Sequence, residues 1–159
     1  MLSLDKLALL SQSPLFEMLR DQELTYLDSL VHARSLAAGE VLFEEGEVGD
    51  SLYLVESGEV EVQHRGQGRQ LQTLAVLGPL ECFGEMGMLL KDARSASVRA
   101  RGAVALWVLS AEDLTTFRKV FPDGYALVIL NLARILAGRL RDTSAQLTRA
   151  LEGGAPEVR

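Results

Sequence analysis

The chain has 159 residues, 48% of them apolar, enough for one well-packed domain, and no apolar run approaches the roughly 18–20 residues that a membrane span requires. Sixteen basic against 22 acidic side chains leave a net charge of −6, which lowers the expectation of nucleic-acid binding, since that draws on lysine and arginine at phosphates. Cys82 is the single cysteine, so no intramolecular disulfide or thiolate metal cluster can be built; "MLSLDKLALL" has no basic region ahead of an apolar stretch, and a non-exported, cytoplasmic protein is expected.

In chain order, residues 3–32 read as helical, interrupted at Pro14. Asp21 is a candidate cap for the second piece, where Leu24, Leu27, Leu30 and Val31 recur at helical intervals. After Ala37 the texture changes to short β-rich segments, "EVLFEE", "SLYLVES", "EVEVQHR", "RQLQTLAVL", "SASVRA" and "VALWVLS", separated by glycine-centred turns. That spacing predicts a β-sandwich or barrel. Ser110, with Asp113 three residues on, is the expected cap of a helix over "AEDLTTFRKVF". A second helix is expected from Pro122, with Gly153–Gly154 as its stop. It should run about 30 residues, or roughly 45 Å. Its second half carries a stripe of Leu132, Leu136, Leu140, Thr143, Leu147 and Leu151, which suits a homodimer contact. The four arginines and one aspartate of "RILAGRLRDTSAQLTRAL" read as the wet face of this helix.

The stretch "FGEMGMLLKDARSASV" sets Gly84, Glu85, Gly87, Arg94 and Ser95 among apolar residues. Met86, Met88 and Leu89 read as core. The glycines read as places where backbone comes close to another group, and "EMGMLL" as a short helix whose free amides suit an anion. Arg94 offers a planar fork of donors to phosphate oxygens. Glu85, ionised, accepts hydrogen bonds only and suits a hydroxyl donor. The alternative is internal: Glu85 paired with Arg94, or Arg94 with Asp92. Ser95 serves equally as phosphate donor or turn cap.

These residues, with "AAGEVLFEEGEVGDSLYLVESGEVEV" ahead of them, resemble the cyclic nucleotide-binding domain family, the sensor domain of catabolite activator protein and of cyclic AMP-dependent kinase regulatory subunits. The resemblance covers about residues 12–150, with the family's phosphate-binding cassette over 83–98; Ala93 stands where many members carry proline. It implies an α+β fold: N-terminal helices over 1–36, an eight-stranded β-barrel or jelly roll with a short cassette helix over 37–110, C-terminal helices including one long one over 111–152, and a tail over 153–159. It further implies that Gly84, Glu85, Met86, Arg94, Ser95 and Ala96 hold the cyclic phosphate and ribose, while Val62 and Leu74 line the base. In activator-like relatives a Thr-Ser pair on the long helix reaches the adenine amino group, and Thr143-Ser144 is such a pair.

The expectation is a stand-alone sensor for cyclic AMP, favoured over cyclic GMP, that moves its C-terminal helices and is read by an effector protein. No further cofactor, no membrane and no DNA binding by this chain alone are implied. Two alternatives are a fold that has lost its ligand and acts as a dimeric scaffold, and the sensor half of a transcription regulator. An enzyme is not expected: only His32 and His64 exist, His32 reads as part of a helix, and a histidine-held metal site cannot be assembled from them.

Overall fold

The structure is a computed structural model that describes residues 2–68 and 70–154. Helix α1 (Leu2–Gln12) stops before Pro14, where Pro14–Phe16 form one 3-10 turn; the Ser13 hydroxyl accepts the Leu15 N–H at 3.2 Å and caps it. Helix α2 (Asp21–Leu30) begins one residue after Arg20, so Asp21 is its first residue and not its cap. The start is fixed instead by Glu23, whose carboxylate accepts the Arg20 backbone N–H at 3.0 Å and the guanidinium Nε–H at 2.9 Å.

Eight strands follow: β1 (His32–Leu36), β2 (Val41–Phe43), β3 (Ser51–Ser57), β4 (Val60–Arg65), β5 (Leu71–Leu77), β6 (Cys82–Phe83), β7 (Ser97–Ala100) and β8 (Val104–Ser110). They pair antiparallel in two four-stranded sheets, β1-β8-β3-β6 and β2-β7-β4-β5, which is the expected jelly roll. Strand β1 lies where helix was expected, so His32 opens a strand; "HARSL" is recruited by its pairing along β8, from His32↔Val108 to Leu36↔Val104. Strand β6, two residues long, is too short to leave a sequence pattern.

In the first sheet, β3 and β8 are covered on both faces, while β1 at its edge is exposed except at Leu36. Tyr53 and Val55 of β3 and Val104 and Leu106 of β8 meet the second sheet, with Phe43, Val60, Leu77 and Val98. The alternate residues Leu52, Leu54, Trp107 and Leu109 meet the helices, against Leu10, Phe16, Leu27, Phe117, Val128 and Leu132. That is why β3 and β8 read as nearly continuous apolar runs. Burying a side chain such as Phe117 contributes about 1.5–3 kcal/mol.

Helix α4 (Ala111–Val120) is capped as expected: the Ser110 hydroxyl accepts from Asp113 N at 3.0 Å, and the Asp113 carboxylate from Ser110 N at 3.2 Å. Helix α5 (Pro122–Gly154) runs 33 residues, about 50 Å. Both glycines of the expected stop lie inside it, and residues 155–159, most of the expected tail, lie outside the described residues. Its first half is packed down: the buried Asn131 amide donates to the carbonyls of Leu15 at 3.1 Å and Glu17 at 2.8 Å. Residues 141–150 are all exposed. Leu132 and Leu136 turn toward the body of the domain, which corrects the expected stripe. The exposed face carries Ala126, Leu130, Ala133, Ala137, Leu140, Ser144, Leu147 and Leu151, at alternating four- and three-residue steps. None of the described helices is long and apolar enough to cross a membrane.

Candidate functional site

The residues after β6 make a tight turn into helix α3 (Glu85–Leu90). Gly84 takes φ 84°, the left-handed region that favours glycine. From there Glu85 and Gly87 turn inward, while Met86, Leu89 and Leu90 are exposed. Only Met88 of the three residues expected in the core is buried there; six residues make too short a helix to cover more than one face.

Arg94 returns beneath this helix. Its backbone is pinned to the β2–β3 loop, Arg94 N donating to Glu47 O at 2.7 Å and Gly46 N to Arg94 O at 2.9 Å, and Ala93 bridges to Val48. The side chain is 5% exposed. Nη1 donates to Gly84 O at 2.8 Å and Nη2 to Ser51 O at 3.1 Å, and Cζ lies 4.2 Å from the centre of the Phe43 ring. The Nε–H is buried without a partner.

The glycines of the stretch serve this arginine first. A Cβ on Gly84 would lie 2.8 Å from Ser51 O and 3.0 Å from Arg94 Nη1; one on Gly87 would lie 2.7 Å from Gly49 O and 2.9 Å from Nη1. The close approach expected of a ligand is thus made already by the guanidinium and by backbone.

Glu85 is 8% exposed. It pairs neither with Arg94 nor Arg94 with Asp92; its nearest cation is Arg139 of α5, Nη1 to Oε1 3.6 Å, and its Oε2 is buried without a partner. Arg139 also donates to the carbonyl of Cys82. Burial pushes the Cys82 thiol up to about 11, so it is protonated at neutral pH and structural.

Together these groups bound a cavity that opens to solvent. Gly84, Glu85, Met86, Arg94, Ser95 and Ala96 line one side, and Val62, Ala75 and Leu77 supply an apolar wall on β4 and β5. Leu74 is absent from the wall: it is 57% exposed. The ladder slips between Val62 and Gln63, so Val62 pairs with Ala75 and Gln63 with Thr73, and Leu74 is the extra residue that bulges outward. Thr143 and Ser144 are exposed and do not line the cavity. Arg139 does, and the sequence had given it only as one arginine of a wet helix face. Its distance along the chain from the cassette hid the contact. The signal present was its position one turn before Thr143.

The sequence profile of the cyclic nucleotide-binding domain matches residues 33–120. Over 135 residues the chain is 40% identical to the Cyclic AMP receptor protein of Thermus thermophilus, covering 85% of this chain and 61% of that protein. The crystal structure of the Thermus thermophilus Catabolite Activator Protein superposes with a TM-score of 0.75 at 40% identity, covering 86% of this chain and 62% of that one. The N-terminal domain of a transcriptional regulator from Streptomyces coelicolor is 32% identical, with a TM-score of 0.73, covering 87% of this chain and 94% of that one. A cyclic nucleotide-binding domain from Methylobacillus flagellatus matches 99% of this chain and 87% of that one, with a TM-score of 0.83 at 28% identity. The strands, the cassette between β6 and β7 and the flanking helices therefore have one reading: this chain belongs to the cyclic nucleotide-binding domain family.

Proposed function

We propose that the protein is a cyclic nucleotide sensor, with cyclic AMP favoured over cyclic GMP, whose occupied pocket moves the C-terminal helices. The observation that carries this reading is that Arg94 and Glu85, which both line the cavity, each bury a polar atom without a partner, Nε and Oε2. Each costs free energy while unpartnered, about 1–3 kcal/mol or more for charged groups, and a cyclic nucleotide supplies a partner for both. With two of its five N–H groups on Gly84 O and Ser51 O, Arg94 keeps three for the phosphate. Glu85 accepts the ribose 2′-hydroxyl. The Ser95 hydroxyl and Ala96 amide complete the cradle beside Gly84 and Met86, and Val62, with Ala75 and Leu77, faces the base.

Adenine is favoured because the Thermus relative bears the name Cyclic AMP receptor protein and because Thr143 lies one turn beyond Arg139 on the same face of α5, with Ser144 beside it. The exposed α5 stripe supports a homodimer formed with a second copy through that helix. The route out of the pocket is Arg139, which ties α5 to Glu85 and to the carbonyl of Cys82. When the ribose engages Glu85, Arg139 loses part of its hold on the carboxylate and α5 repacks. A ligand acts here by favouring one of two helix positions. The role is regulatory and non-catalytic, read by an effector protein.

A second reading, the sensor half of a longer regulator, is supported by the match to the Streptomyces N-terminal domain and by the 61% coverage of the Thermus protein. The mass of the protein recovered from its own cells separates the two.

Hydrogen exchange with and without saturating cyclic AMP tests the sensor reading. Protection is expected over residues 84–98 together with a change along α5. Exchange unchanged everywhere, or changed in the pocket alone, would count against it.

A further inference from the structure

We infer that Gly49, in the β2–β3 loop, is a positioning residue for the guanidinium of Arg94, so that a single methyl group there disables anion binding while sparing the fold. The inference rests on the reading of Arg94 as the phosphate-holding group. A Cβ built on Gly49 would lie 2.4 Å from Arg94 Nε, 2.5 Å from Nη2 and 2.7 Å from Cζ. The three nearest atoms all belong to one side chain.

This separates Gly49 from the other glycines of the site. At Gly84 and Gly87 a methyl group meets backbone oxygens, Ser51 O and Gly49 O, and Gly84 also needs its positive φ. Substitution at either strains the chain itself. Gly49 has no left-handed backbone to preserve. What stands in the way is the end of a long side chain, which can move.

It cannot move and keep its place. The guanidinium is buried, stacked 4.2 Å from Phe43 and tied by Nη1 and Nη2 to two carbonyls. A methyl group inside van der Waals distance of Nε and Nη2 must break that arrangement. The planar fork then no longer presents its free N–H groups in a fixed direction, which is the property that suits guanidinium to phosphate.

The test is Gly49→Ala in the full chain, with Gly102→Ala, whose Cβ meets open space, as control. Three readouts apply: thermal midpoint, cyclic AMP affinity by calorimetry, and the Arg94 Nε–H resonance of the ligand-free protein. The expected result is a midpoint near wild type, affinity weakened at least tenfold, and a displaced or broadened Nε–H resonance, none of which Gly102→Ala reproduces. In an Arg94→Ala background, Gly49→Ala should cause no further loss. Wild-type affinity and an unmoved resonance in Gly49→Ala would overturn the inference, and so would an equal loss in both backgrounds, since the loop would then act otherwise than through Arg94. If wild type itself binds no cyclic nucleotide, the sensor reading fails, while the resonance still decides whether Gly49 positions Arg94.

Discussion

Glu23 is 1% exposed, as buried as the leucines around it, yet it is a carboxylate. Burial works to raise its pKa; the backbone N–H and guanidinium of Arg20 outweigh that and hold it below the ordinary carboxylate value of 4.5. A depressed folded value means the unfolded chain binds the proton more readily. The resulting stabilisation is present in full above 4.5 and is lost as pH falls through the lower folded value. Glu23→Gln should therefore flatten the acid limb of thermal midpoint against pH; an acid limb identical to wild type would contradict this account. At this scale the sequence was most informative where polarity is out of place. Glu85 and Arg94 stand out because ionisable groups amid apolar residues need a reason to be there. Gly49 and Arg139 do not stand out, because each matters through a contact with a residue far along the chain.

At the scale of elements, strands with both faces covered and helices with capping pairs were legible: β3, β8 and α4 fall where the pattern puts them. The misses have physical causes. A ladder partner made β1 a strand despite the helical run before it. The bulge between Val62 and Gln63 inverted the parity of β5, so that Ala75 and Leu77 line the cavity and Leu74 does not. In α5 the heptad was readable but its phase was not, since Leu132 and Leu136 are claimed by the domain's own core. The exposed stripe carries an expectation of its own. Leu140 is 68% exposed, and Leu147 and Leu151 continue its line. Sedimentation should give a dimer for wild type and a monomer for Leu140→Glu/Leu147→Glu with the cavity still formed. A monomeric wild type at the same concentration, or a dimeric double variant, would remove the stripe from the interface.

Across the whole molecule, α5 touches three regions with different firmness. Its first half is fixed to the N-terminal turn by Asn131 and packed through Val128 and Leu132. Its middle reaches the cassette through Arg139. Beyond Leu140 it stands in solvent. The group holding its middle, Arg139, is paired with Glu85, the residue proposed to take the ribose. Coupling free energies in allosteric proteins are typically about 1–3 kcal/mol. The central claim is that the pocket receives a cyclic nucleotide through Arg94. Calorimetric titration of cyclic AMP, then cyclic GMP, into wild type and Arg94→Ala tests it most directly. The account expects binding to wild type, tighter for cyclic AMP, and at least tenfold weaker binding to the variant, a loss of about 1.4 kcal/mol or more. A folded wild type that binds neither nucleotide, or an Arg94→Ala protein that binds as well as wild type, would contradict it.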